Sequence, residues 1–160
     1  MFNIGDKVVY PMHGAGVIEA IEEREILGEY HKYYILKMPI NELKVMIPVK
    51  NVQDVGVRKI LDKDRMNKVL EELSSNEGIA MPKNWNRRYR FNLEKIKSGD
   101  LIEIAGVVKS LEQIDAQKSL STGERKLLTE ARQIIISEMA LVYQKDIEEI
   151  IEMVDDAVLG

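Results

Sequence analysis

A chain of 160 residues has room for one ordinary domain or two small ones, and 45% hydrophobic with 31% charged residues describes a globular protein rather than a disordered tail. With no cysteine there is no disulfide framework, thiolate metal site or cysteine nucleophile, and His13 and His31 alone leave little for a metal centre or a catalytic triad. The net charge of −4 offers no overall affinity for a polyanion.

The first 60 residues read as strands. Lys7 to Tyr10 is followed by Pro11-Met12-His13-Gly14-Ala15-Gly16, whose proline and two glycines mark a turn. Val17 to Glu25 alternates roughly, Leu27-Gly28-Glu29 forms a hairpin tip, Tyr30 to Met38 is β-branched and aromatic, and Leu43 to Val49 alternates again. Short strands and tight turns predict a small curled antiparallel sheet or barrel over residues 1–60. A unit of that size buries only about 60% of its unfolded surface, so it should lean on the rest of the chain or on a partner.

Beyond Arg58 the period becomes helical. Asp62 caps a helix through Met66, Val69, Leu70 and Leu73, with a stop at Ser74-Ser75-Asn76-Glu77-Gly78. A second helix covers residues 84–97 and ends at Gly99. Asp100 opens a third, with Leu101, Ile104, Val107, Val108, Leu111 and Ile114 on its apolar face. Ser121-Thr122-Gly123-Glu124 is a capping box, in which Glu124 can return to the Ser121 amide, and it starts a fourth helix through Leu127, Ile134 and Val142. Asp146 starts a fifth with Ile147, Ile150, Ile151, Val154 and Val158. The expected fold is α+β: a β module at 1–60 and an all-α domain of about five helices at 61–160.

No stretch approaches the roughly 18 apolar residues of a spanning helix. Met1-Phe2-Asn3-Ile4-Gly5-Asp6 lacks the basic and apolar regions of a secretory signal, so a cytoplasmic location away from membranes is expected. No metal site or cofactor is expected. Pro11 to Gly16 lacks the spacing of a phosphate cradle, and the histidines read as surface or turn residues. The neighbouring acids Glu148-Glu149 and Asp155-Asp156 face different ways on a helix and read as a solvated surface.

Charge is unevenly placed: residues 83–97 carry a net +5, and residues 141–160 a net −5. The basic segment holds the chain's one tryptophan, in Pro82-Lys83-Asn84-Trp85-Asn86-Arg87-Arg88-Tyr89-Arg90. Arginines in the first turns of a helix forgo or oppose roughly 0.3–1 kcal/mol each against the helix dipole, a sign that an external polyanion would reverse. Arg87, Arg88 and Arg90 diverge around the helix and cannot all join one intramolecular network. Trp85 has two readings. It lies within about 80° of Tyr89, Leu93 and Ile96 on a helical wheel, which suits a core residue. At the helix start it could instead present a flat face to a base, as stacking platforms and minor-groove wedges do.

Several motifs, in order, resemble the CarD-like bacterial transcription regulators (CarD/CdnL). They are Val8-Val9-Tyr10-Pro11-Met12-His13-Gly14 with Gly16, Ile21-Glu22-Glu23-Arg24, Val55-Gly56-Val57-Arg58, and Asn84-Trp85-Asn86-Arg87-Arg88-Tyr89 through Leu93-Glu94-Lys95. Ser98-Gly99-Asp100, Leu120-Ser121-Thr122-Gly123-Glu124-Arg125 and Ala131-Arg132-Gln133-Ile134 complete the set. The resemblance implies a Tudor-like β module that docks on the β subunit of RNA polymerase. It also implies a helical domain that meets promoter DNA at the upstream edge of the bubble and stabilises the open complex with little sequence-specific readout. Trp85 then corresponds to the family's minor-groove wedge, Arg87 and Arg90 match basic positions that hold phosphates, and Arg88 is a further basic candidate. Arg24 keeps a polymerase-facing cation. A second docking position, often basic in relatives, is Met46 here, with Lys44 two residues away as a substitute. The family pattern implies a non-enzymatic protein, with a monomer as the default and strand exchange at a sheet edge as an option. Two other readings remain: a protein-only adaptor without DNA contact, and a hydrolase or transferase whose site a single sequence does not reveal.

Overall fold

Apolar residues alternating along the first third of the chain give a sheet one buried face, and the computed structural model, which describes residues 1–40, 42–75 and 78–159, forms it from five strands. These are β1 (Lys7–Tyr10), β2 (Gly14–Ile26), β3 (Glu29–Lys37), β4 (Lys44–Pro48) and β5 (Arg58–Lys59), in the order β4-β3-β2-β1-β5. Every neighbouring pair is antiparallel. β2 runs longer than its alternation suggests. Ile18 pairs with Leu36 and Ala20 with Ile35, so Glu19 is an extra residue that breaks the period and bends the strand. The hairpin tip expected at Leu27-Gly28-Glu29 is a two-residue turn, with Leu27 and Gly28 at φ 54° and 82° and Glu29 already in β3.

Val8, Ile18, Tyr34, Leu36, Met38, Ile47 and Val52 form the small core beneath the sheet. Between β4 and β5 the chain makes a 3-10 turn at Val49–Asn51 and one helical turn, α1 (Val52–Val55). Neither these turns nor β5 carries a readable period, because each is shorter than one repeat of a pattern.

The helical domain comprises α2 (Lys63–Ser74), α3 (Trp85–Lys97), α4 (Leu101–Gln117), α5 (Thr122–Tyr143) and α6 (Ile147–Leu159). Asp62 accepts from the Arg65 amide at 2.8 Å and Asp100 from the Ile102 amide at 2.9 Å, as capping chemistry predicts. Gly99 follows α3 at φ 75°. Asn76 and Glu77, part of the stop expected after α2, lie outside the described residues. The apolar stripes meet in one large core that includes Met66, Leu73, Ile96, Ile104, Leu111, Leu127, Ile135, Met139 and Ile150. Glu148, Glu149, Asp155 and Asp156 are exposed, as expected of a solvated face.

The sheet leans on α5, in keeping with its small core. The Ala15 amide donates to Ser137 Oγ at 2.9 Å. Gly14, at φ 107°, permits this approach, since a Cβ there would fall 2.6 Å from that oxygen. Next to Ser137, fully buried Glu138 accepts two hydrogen bonds from Arg58, at 3.0 and 2.9 Å, and one from the Leu61 amide at 2.8 Å. Arg58→Met would leave this carboxylate without its countercharge. The expected loss is about 3 kcal/mol of unfolding free energy by urea titration, and a loss under about 1 kcal/mol would show that the pair contributes little.

Candidate nucleic-acid interface

The position of Trp85 follows from its neighbour. Asn84 adopts an extended conformation, and its Oδ1 accepts from the amides of Asn86 at 3.0 Å and Arg87 at 3.2 Å. This cap starts α3 at Trp85, one turn ahead of the residues that pack. Tyr89 and Leu93 are partly buried against the large core and Ile96 is enclosed by it, whereas Trp85 is 57% exposed. Of its two readings, the structure therefore excludes the core. The apolar stripe begins at Tyr89.

Arg87 and Arg90 are exposed and form no ion pair among the described residues. They border an open depression of about 550 Å³, which Pro82, Phe91, Glu94, Lys95 and Glu103 also line. No acidic residue occupies the first turn of α3, so the helix dipole and these cations act with the same sign. The assembly is an exposed aromatic side chain followed by two exposed arginines without ion pairs among the described residues, chemistry suited to stacking plus phosphate contact.

Arg88 is a different case from its neighbours. Its Nε and Nη2 donate to Glu124 Oε2 and Oε1 at 2.6 and 2.8 Å, and Glu124 is only 2% exposed. The hydrogen bond to Glu124, helped by the carboxylate's charge and opposed by burial, raises the Arg88 pKa above its ordinary value. The arginine suggested as a further phosphate contact is thus committed to an intramolecular fork. The same pair alters the capping box at α5. Ser121 Oγ accepts from the Glu124 amide at 3.2 Å as expected, but the Glu124 carboxylate turns to Arg88 and to the Ser121 hydroxyl, which donates at 3.4 Å.

The other candidates share one face of the sheet. Cross-strand partners point the same way, and the register runs Ala20–Ile35–Met46, then Glu22–Tyr33–Pro48, then Arg24–His31. Arg24 and Met46 therefore belong to the same surface, as does Lys44, two residues from Met46 on β4. Met46 is 40% exposed, and β4 is an edge strand bonded only to β3. Both cations have local partners: Arg24 pairs with Glu22 at 2.8 Å and Lys44 with Glu19 at 3.0 Å. The Lys44 partner is the bulged residue of β2. His13 sits exposed in the turn after β1, stacked on Tyr10 with ring centroids 4.4 Å apart, while His31 lies in β3. Among the described residues no group of three or more His, Asp or Glu could hold a metal ion, and no helix is long and apolar enough to cross a membrane.

The sequence reading missed the two buried carboxylates, Glu124 and Glu138. The available signal at Glu138 was a lone acid within the apolar run from Ile134 to Val142.

Residues 2–61 match the family described as the CarD-like/TRCF RID domain, an RNA polymerase-interacting domain, and residues 68–155 match that described as CarD, C-terminal domain. The chain is 39% identical over 142 residues to the "Putative transcription factor YdeB" of Bacillus subtilis (strain 168), spanning 89% of this chain and 92% of that protein. Among solved structures, the 72-residue N-terminal domain of Myxococcus xanthus CarD, determined in solution by NMR, is 32% identical. It covers 37% of this chain and 79% of its own length, with a TM-score of 0.32.

Because Trp85 lies outside the core, Trp85→Ala should change the unfolding free energy by less than about 1 kcal/mol in urea titration, where truncating a core tryptophan costs roughly 3–5 kcal/mol. A loss in that larger range would return Trp85 to the core.

Proposed function

The chain belongs to the CarD family of transcription regulators, and from that premise we propose that it docks on the β subunit of RNA polymerase and stabilises the promoter open complex by direct contact with DNA. In this reading residues 1–60 bind the polymerase, residues 61–160 meet the DNA, and the protein acts in the cytoplasm without chemistry of its own. The observation that carries it is the exposed Trp85 on a capped first turn, with Arg87 and Arg90 exposed and without an ion pair among the described residues.

The mechanism is differential binding. An aromatic wedge at the junction of duplex and bubble must be expelled before the strands can re-pair, so it favours the open state. A preference of about 1.4 kcal/mol changes the open-to-closed ratio roughly tenfold. The arginines hold phosphates, which position the protein without reading base edges, so promoter choice rests with the polymerase holoenzyme. On the β module, Met46 is the apolar anchor at the sheet edge and Arg24 a cation further along the same face, two strands away. Lys44 is a weaker candidate, since its Glu19 partner must be displaced or shared before it can serve a second surface.

The direct test is the lifetime of a polymerase–promoter open complex at saturating protein. Wild type should lengthen it, and Trp85→Ala should abolish most of that gain while binding polymerase normally. The combined variant Arg87→Glu, Arg90→Glu should weaken DNA association and lower the dependence of log K on log salt by about 2, near the value for two lost phosphate contacts. No wild-type effect on lifetime would favour the adaptor without DNA contact.

Docking has its own test. Met46→Glu should weaken binding to the isolated polymerase β lobe at least about tenfold, because it puts a charge at the apolar centre of the contact. Unchanged affinity would move the interface off β4.

A further inference from the structure

We propose that Arg88 is a positioning residue, whose fork on Glu124 locks the first turn of α3 against the N-terminus of α5 and so holds Trp85 at the angle DNA requires. This inference rests on the reading of Trp85 as the DNA wedge. It assigns Arg88 a role distinct from that of the phosphate-facing arginines on either side of it.

The first turn of α3 needs such a device. First turns fray, and Trp85 makes little use of the core that anchors the rest of the helix through Leu93 and Ile96. Upstream, the segment leading into α3 is strapped to α4: the Ile79 amide donates to Ser110 Oγ at 2.7 Å. The Ile79 side chain there fills the notch at Gly106, where a Cβ would lie 2.9 Å from it. Downstream, Arg88 is the first residue of α3 that, among the described residues, has a charged partner on another helix, and it uses two fork nitrogens on two carboxylate oxygens. Two parallel bonds fix direction as well as distance, which a single ammonium cannot do.

The socket is prepared from the other side. Glu124 is buried at the start of α5, its amide is capped by Ser121 and its carboxylate accepts from the Ser121 hydroxyl. Tyr89, next to Arg88, approaches Gly123, where a Cβ would lie 3.8 Å from the Tyr89 ring. The start of α3 and the start of α5 are thereby joined at adjacent residues, with Trp85 three positions upstream of the clamp.

The test compares full-length variants by urea unfolding, polymerase binding, open-complex lifetime and quenching of Trp85 emission by a forked duplex. Trp85 is the chain's one tryptophan, so its emission reports the wedge directly. Arg88→Met with Glu124→Gln removes both charges at similar volume, which leaves no buried ion unpaired. Its unfolding midpoint and polymerase binding should stay near wild type, while the lifetime gain and the forked-duplex affinity fall about tenfold. Recovery of all four properties would overturn the proposal and leave the pair a stability element.

Glu124→Gln alone separates a clamp from a direct phosphate contact by Arg88. It should weaken binding to the forked duplex, whereas unchanged or tighter binding would overturn the proposal by showing that the freed guanidinium serves DNA. If the double variant does not fold, Arg88→Lys decides. It keeps the charge but loses the fork, and should lose at least about threefold of the lifetime gain; a full gain would overturn the proposal. A lifetime lost in Trp85→Ala but kept in the double variant sinks the clamp alone. A lifetime unaffected by Trp85→Ala sinks the wedge reading and the clamp with it.

Discussion

Two buried carboxylates on α5 organise this molecule. Glu124 and Glu138 are 14 residues apart, about 21 Å along the helix and within roughly 40° of the same face. Each receives an arginine from a different part of the chain: Arg88 from α3 and Arg58 from β5. Burying an isolated carboxylate is prohibitively costly, so each socket demands its arginine. α5 therefore acts as a beam to which both the sheet and the first turn of α3 are bolted. Ser137 adds a third attachment through the Ala15 amide, one residue from Glu138.

This arrangement resolves the problem posed by the small sheet. Its core, built on seven buried side chains among the described residues, is small for a 60-residue unit, which makes a unit of that size marginal by itself. Attachment at Ala15 through Ser137 and at Arg58 through Glu138 adds contacts to a helix packed in the large core. These contacts tie the two surfaces proposed to act together, β4 with Arg24 on one side and Trp85 with Arg87 and Arg90 on the other, to the same helix. A wedge carried on a loose tether would lose much of its binding energy to the entropy of ordering it.

Much of the fold was legible in sequence because it is written in local chemistry. The change from a two-residue to a helical period near Arg58, the caps at Asp62, Asp100 and Ser121, and the stop at Gly99 depend on neighbours a few residues away. The position of Trp85 was half legible. Its wheel position agreed with the stripe, and only the cap at Asn84, which places it on the first turn, decides against burial. The pairings Arg88–Glu124 and Arg58–Glu138 span 36 and 80 residues, and no periodicity carries that information. A capping-box glutamate looks the same in sequence whether it returns to its own serine amide or reaches across to an arginine. β5 escaped for a related reason: two residues paired with β1 have no pattern of their own.

Charge placement completes the physical logic. A molecule of net −4 can still approach a polyanion if the local field at the contact has the opposite sign, and the proposed contact segment at 83–97 carries net +5. Commitment of Arg88 to Glu124 reduces the charge that faces outward, yet it converts one cation into geometry. For a contact that reads the shape of a junction rather than bases, geometry is the scarcer quantity. A further free arginine would raise affinity for closed and open duplex alike, which shifts no equilibrium. On the proposed reading, a wedge held at one angle would favour the open form, because only that form would have a gap to receive it.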